Sequence, residues 1–178
     1  MTGVRTNIVT ATEATANESA DAPQLPDLLA ATAGTFDTIR EVSADKAYSS
    51  RRNIGAVHAA GGTAYIPFKT SAKGVSKKYK FDGLWYRMWH LYNFERDAFA
   101  AHYHKRSNAE TVMSMIKSKF GPAVKSKSPT AQVNEVLCKV LAHNICVLIQ
   151  SFYELGIESI FCTESQPVAQ KVPYLRLV

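Results

Sequence analysis

Two carboxylates, Asp45 and Glu110, and the side chains spaced around the second of them are the residues of this sequence best suited to chemistry. In YHKRSNAETVMSMIKSKFG, Tyr103, Arg106, Glu110 and Lys117 are separated by two, three and six residues. At about 100° per residue, all four fall on one narrow stripe of a helix. A carboxylate flanked by Arg and Lys suits a hard divalent cation beside a phosphodiester: the oxygen holds Mg²⁺ and the cations neutralise phosphate charge. Tyr103 can bond a phosphate or stack on a base. Ala109, Val112, Met113, Ile116 and Phe120 gather beside the stripe, so an apolar face can anchor the helix on a sheet. On geometry alone the same residues also read as an i,i+4 surface pair, Arg106 with Glu110, and a solvated Lys117.

Asp45 follows IREVSA (residues 39–44), which reads as a strand, so the carboxylate stands at a strand's C-terminal end. A lone Asp there also serves as a turn or cap residue.

The elements that must position these groups follow from periodicity. Residues 6–15 (TNIVTATEAT) alternate roughly and predict an opening strand. Leu25, Leu28, Leu29 and Ala33 recur at helical spacing up to Gly34. A Ser-rich turn after Asp45 leads into a helix starting at Arg51 and Arg52 and ending at Gly61 and Gly62. TAYIPF (residues 63–68) reads as a further strand, with Pro67 near its end. Residues 69–80, KTSAKGVSKKYK, carry five lysines and predict an exposed loop that is either simply solvated or touches phosphate. Helix is expected over residues 84–120 and 130–155, divided by Gly121-Pro122 and Ser128-Pro129. The tail after Gly156 has no clear period. Residues 1–155 therefore read as one domain and 156–178 as an irregular tail.

Several conspicuous residues receive plain readings. Trp85, Met88, Trp89 and Tyr92 recur at helical spacing and read as core, with base stacking as the alternative. His102 and His104 fall on different helix faces and share no metal. Cys138, Cys146 and His143 lie among apolar residues of the last helix, where buried thiols act as small apolar groups.

Composition sets the class. The 178 residues are 46% hydrophobic and 20% charged, ordinary for a globular chain. The net charge of +6 favours polyanionic partners. Cys138, Cys146 and Cys162 form no CxxC pair, which argues against a disulfide framework or zinc knuckle and fits a reducing cytoplasm. No signal peptide is apparent, and no stretch is read as the roughly 20 apolar residues of a membrane span. The expectation is a soluble, cytoplasmic protein with no membrane partner.

The Tyr103, Arg106, Glu110, Lys117 spacing resembles the Y-R-E-K signature of DDE insertion-sequence transposases. SADKAYSS is similar to the family segment bearing the second catalytic carboxylate, and TNIVTATEA, PQLPDLL, AYIPFKTSAKG and QVNEVLCKVLAHNICVLI extend the similarity to about Leu155. The resemblance implies an α/β fold similar to ribonuclease H: a mixed sheet flanked by helices, N-terminally truncated here, with a helical C-terminal part. It also implies two Mg²⁺ (or Mn²⁺) ions held by Asp, Asp and Glu, with Asp45 and Glu110 as the second and third of these. Tyr103, Arg106 and Lys117 become DNA contacts, and double-stranded DNA at transposon ends and target the substrate.

In that family the first Asp lies on an earlier strand than the one TNIVTATEA resembles. No first Asp is identifiable, and Asp21, Asp27 and Asp37 stand at no suitable strand position. Low activity of the isolated chain is the expectation, with an upstream transposase fragment or a second copy as the partner that completes it. A non-catalytic DNA-binding fragment and a vestigial remnant are the competing readings.

Overall fold

The computed structural model describes residues 1–14, 21–36, 38–74 and 83–156. Asp37, the later part of the lysine-rich loop, Cys162 and the tail beyond Gly156 lie outside these residues.

The centre is a β-α-β unit. Strand β1 (Glu41–Ser43) is followed by helix α2 (Arg51–Ala59), and strand β2 (Thr63–Tyr65) pairs parallel to β1 with Val42 opposite Ala64. Helix α1 (Leu25–Ala33) precedes the unit and packs on α2. The strands are shorter than the alternating segments predict. Ile66 and Phe68, expected in β2, leave the ladder but stay in the core.

Local chemistry sets the ends of α2. Ser50 caps its first turn, its hydroxyl accepting from the Asn53 amide at 3.1 Å. Asn53 is buried, and its side-chain amide donates to Ala22 O and Tyr48 O, both at 2.9 Å, so the turns before α1 and α2 are held together. At the far end Gly61 adopts φ 82°, a conformation that costs glycine little.

Leu25 and Leu29 from α1, Val42 from β1, Ile54 and Val57 from α2, and Ala64, Ile66 and Phe68 form the core with Trp85 and Met88. Full burial of Ile54, Val57 and Ile66 contributes about 1.5–3 kcal/mol each. Trp85 and Met88 come from α3 (Gly83–Phe94), and Trp89 and Tyr92 pack against the same cluster, as their helical spacing predicts. The two indole N–H groups donate to Lys73 O at 2.9 Å and Ala72 O at 3.2 Å, tying down the start of the lysine-rich loop. A Cβ on Gly74 would stand 2.7 Å from Trp89 Cε3, so only glycine allows that approach.

The long helix expected over residues 84–120 is three shorter ones. After α3 the chain turns at Glu95 into α4 (Arg96–Tyr103), passes a 3-10 turn at His104–Arg106, and continues as α5 (Ser107–Phe120). The bend at Glu95 folds an apolar run back on itself, which lets Phe99 meet Tyr92 and Tyr65 at ring separations of 5.1 and 5.8 Å. On α5, Val112 and Ile116 are buried as expected, whereas Met113 is half exposed.

The opening strand expected over residues 6–15 does not form over the described residues 6–14. An isolated antiparallel bridge joins Thr2 to Val9 around a turn, with Asn7 at φ 56°. A side chain takes the place of a neighbouring strand: Asn144 accepts from Val9 N at 2.8 Å and donates to Val9 O at 2.9 Å.

Asn144 belongs to α6 (Pro129–Leu155), which Ser128 caps and Gly156 ends at φ 63°. This helix corrects the reading that no stretch nears a membrane span, because it is long and apolar enough to cross one by length and composition. Lys139, His143 and Asn144 interrupt the apolar run in sequence, but in the helix all three face protein. Lys139 donates to Ala123 O at 2.7 Å, and His143 Nε2 lies 3.0 Å from Asn7 O. The opposite side presents Leu137, Leu141, Ile145, Leu148 and Ile149 to the surface. Cys138 is exposed rather than buried, because it lies away from the packed side.

Candidate active site

Asp45 stands two residues beyond β1. Ala44 N still bonds Tyr65 O at 3.4 Å, after which the backbone stays extended at Asp45 and enters a 3-10 turn. Asp45 occupies the cap position of that turn, yet its side chain makes no capping hydrogen bond. It turns instead to Arg106, whose Nη1 lies 3.5 Å from Asp45 Oδ2.

The same Nη1 lies 2.6 Å from Glu110 Oε1. Arg106 therefore joins the strand end to the first turn of α5 and brings together the two carboxylates singled out in the sequence. Partial burial works against its charge, but the Glu110 hydrogen bond, Tyr103 and Asp45 together push its pKa above the usual arginine value. The Tyr103 ring takes the guanidinium on its face at 5.7 Å, a cation-π contact.

Lys117 stays apart. It is exposed in the last turn of α5, roughly 10 Å along the axis from Glu110. The single stripe expected of a continuous helix is also broken, because Arg106 lies in the 3-10 turn and Tyr103 ends α4. Tyr103, Arg106 and Glu110 still meet, through direct contact with Arg106 rather than through helical phase.

A cluster absent from the sequence reading lies just behind. Glu41 on β1 accepts from Lys105 Nζ at 2.5 Å and lies 2.5 Å from His102 Nδ1. Burial raises the Glu41 pKa, but the hydrogen bonds from Lys105 and His102 outweigh it and leave the carboxyl below its usual range. Ser43 Oγ donates to His102 O at 3.0 Å, and the His102 ring stacks on Tyr65 with centroids 4.3 Å apart. The available signal was the period of two in Glu41, Ser43 and Asp45, which puts alternate strand residues on one face.

A cavity of about 280 Å³ opens between the first residues of the chain, α1, the β1 segment through Asp45, and Lys105 and Arg106. The exposed backbone edge of β1 lines it. Arg40 O and Ala44 N bond to β2, so the alternating groups of Glu41 and Ser43 point away from β2, and β1 has no other strand neighbour among the described residues.

Asp45 and Glu110 are largely exposed, and as a donor set they fit one hard cation whose shell is filled by water and phosphate oxygens. Among the described residues no group of three or more His, Cys, Asp or Glu side chains converges to hold a metal.

The chain matches the transposase DDE domain family over residues 1–145 and belongs to it. Neither a curated protein nor a solved structure matches the chain. Membership defines a transposition-related function with DNA as the substrate, in a family that generally uses a divalent metal.

Proposed function

We propose that the chain carries two of the three metal-binding carboxylates of a DNA strand-transfer site, Asp45 and Glu110, on a ribonuclease H-like scaffold spanning residues 1–155. The observation that carries this reading is the sharing of one Arg106 nitrogen by both carboxylates, from segments far apart in sequence.

In this reading Asp45 and Glu110 hold Mg²⁺ or Mn²⁺ once Arg106 swings from them to a phosphodiester oxygen, which its planar fork matches well. When bound, the cation supplies activation of a water or a DNA 3′-hydroxyl and charge relief at the leaving oxygen. Tyr103 stacks on or bonds the DNA beside Arg106, and Lys117 meets the backbone farther along α5.

Two carboxylates hold a pair of cations poorly, so the third ligand comes from a further strand added at the open edge of β1. A partner chain, either a separate transposase fragment or a second copy, supplies it. The isolated chain then binds DNA and one cation but cleaves little. The second reading, a non-catalytic DNA-binding fragment, draws on the pairing of both carboxylates with arginine, which leaves neither committed to a metal.

Mn²⁺ titration of the purified chain, with Asp45→Ala and Glu110→Ala beside it, separates the two. Binding lost in both variants supports a metal site, and binding indifferent to both leaves the DNA-binding fragment. Nicking of supercoiled plasmid that both substitutions abolish would mean that a third carboxylate is recruited within the purified protein, from this chain or a second copy of it, and no separate fragment is needed.

A further inference from the structure

The two carboxylates converge only because the corner between α4 and α5 is fixed against β1. Arg106 and Glu110 reach Asp45 across no continuous element; the turn at His104–Arg106 must be docked on the strand. Three side chains dock it. Glu41 grips His102 near the end of α4 and Lys105 within the turn. Ser43 Oγ bonds the His102 carbonyl, and the Tyr65 ring stacks on the His102 imidazole. Glu41 is the only carboxylate among these groups, and it faces two cationic or polar donors directly beside Arg106.

We infer that Glu41 is a positioning residue: its carboxylate, through His102 and Lys105, holds the α4–α5 corner at the distance from β1 that lets Arg106 and Glu110 meet Asp45. The inference deepens the proposed metal and DNA site and rests on that reading for its functional meaning. Glu41 itself touches neither Asp45 nor Glu110. Glu41→Gln leaves Lys105 and His102 one neutral acceptor in place of a carboxylate, Glu41→Ala leaves them none, and in both the turn drifts while the hydrophobic core around Ile54 and Val57 stays intact. Residues that orient ligands without binding the ion commonly change metal affinity by about 10-fold or more when replaced.

The test compares Glu41→Gln and Glu41→Ala with the parent chain, and uses Val57→Ala as a variant destabilised at a distance from the site. Mn²⁺ affinity is measured by calorimetry, and the Arg106 side-chain Nε–H resonance is followed by NMR in each background with and without Asp45→Ala. A positioning role predicts Mn²⁺ binding about 10-fold weaker in Glu41→Gln but within about twofold of the parent in Val57→Ala. It also predicts that the Arg106 resonance responds to Asp45→Ala in the parent and no longer does so in Glu41→Gln. An Arg106 response that survives in Glu41→Gln overturns the inference. Mn²⁺ binding that ignores Asp45→Ala sinks the metal reading instead, and the arginine resonance then decides the positioning role by itself. Should Glu41→Ala fail to fold, Glu41→Gln, which keeps the side-chain volume, carries both measurements.

Discussion

Arg106 stands between Asp45 and Glu110, 3.5 Å from the first and 2.6 Å from the second through one nitrogen. Such a pairing is largely exposed, so its direct contribution to stability is small. Its consequence is functional: the two acids are held close and neutralised by a group that itself suits phosphate.

Replacing Arg106 by Ala therefore frees both carboxylates. Mn²⁺ should bind at least as tightly as to the parent chain, while DNA affinity falls and the slope of log affinity against log salt drops by about 1. Metal titration and binding isotherms at several salt concentrations check both. Loss of Mn²⁺ binding in Arg106→Ala would mean that the arginine builds the site rather than competing with the cation.

Asn144 holds the segment around Val9 by pairing with both of its backbone groups. Asn144→Leu leaves those groups unsatisfied and should cost about 1–3 kcal/mol. Hydrogen exchange at the Val9 amide should accelerate far more than at Val42 in β1, and equal acceleration at both would place the damage in the core.

The core and α6 should respond oppositely to truncation. Ile54→Ala should cost about 2–5 kcal/mol, since Ile54 is fully packed between α2 and the sheet. Leu141, 61% exposed, should cost less than about 0.5 kcal/mol when changed to Ala. Leu141→Lys with Ile149→Lys should reduce self-association in sedimentation at unchanged unfolding midpoint, because an apolar stripe of this size is a sticky surface.

Glu135 predicts a pH dependence. Its carboxylate accepts from Ser126 N at 2.9 Å, from Lys125 N at 3.0 Å and from Ser126 Oγ at 2.8 Å, and Lys139 Nζ lies 3.1 Å away. The Ser126 amide first, then the Lys125 amide and the Ser126 hydroxyl, lower its pKa from 4.5 to about 2. A lowered folded-state value stabilises the fold above the unfolded value and loses that contribution as pH falls from 4.5 through about 2. Acid unfolding curves should thus be shallower over that window in Glu135→Gln, and unchanged curves would show that the loop before α6 is already loose in the folded chain.

The sequence by itself determined whatever depends on neighbours along the chain. The β1-α2-β2 order, the start of α2 at Arg51 after a Ser-rich turn, the break at Ser128-Pro129, the Trp85 and Met88 core face and the stop of α6 at Gly156 follow from period, turn chemistry and glycine's freedom at positive φ. The candidate carboxylates were also legible, because Asp45 closes an alternating run and Glu110 sits at helical spacing from Arg106. What only the tertiary structure decided was everything set by contacts between distant segments. The bends at Glu95 and at His104–Arg106 arise because the apolar residues of that stretch pack against Tyr65 and Tyr92, and one continuous helix cannot present them there. Those bends separate Lys117 from the group and make Arg106 the meeting point. The role of Glu41 depends on His102 and Lys105 arriving from the α4–α5 corner, far along the chain from β1. The apolar face around Leu141 and Ile145 is exposed because Lys139, His143 and Asn144, the polar residues of that stretch of α6, turn toward protein. Periodicity can mark the apolar face of a helix, but which face another segment covers is settled only when the segments pack.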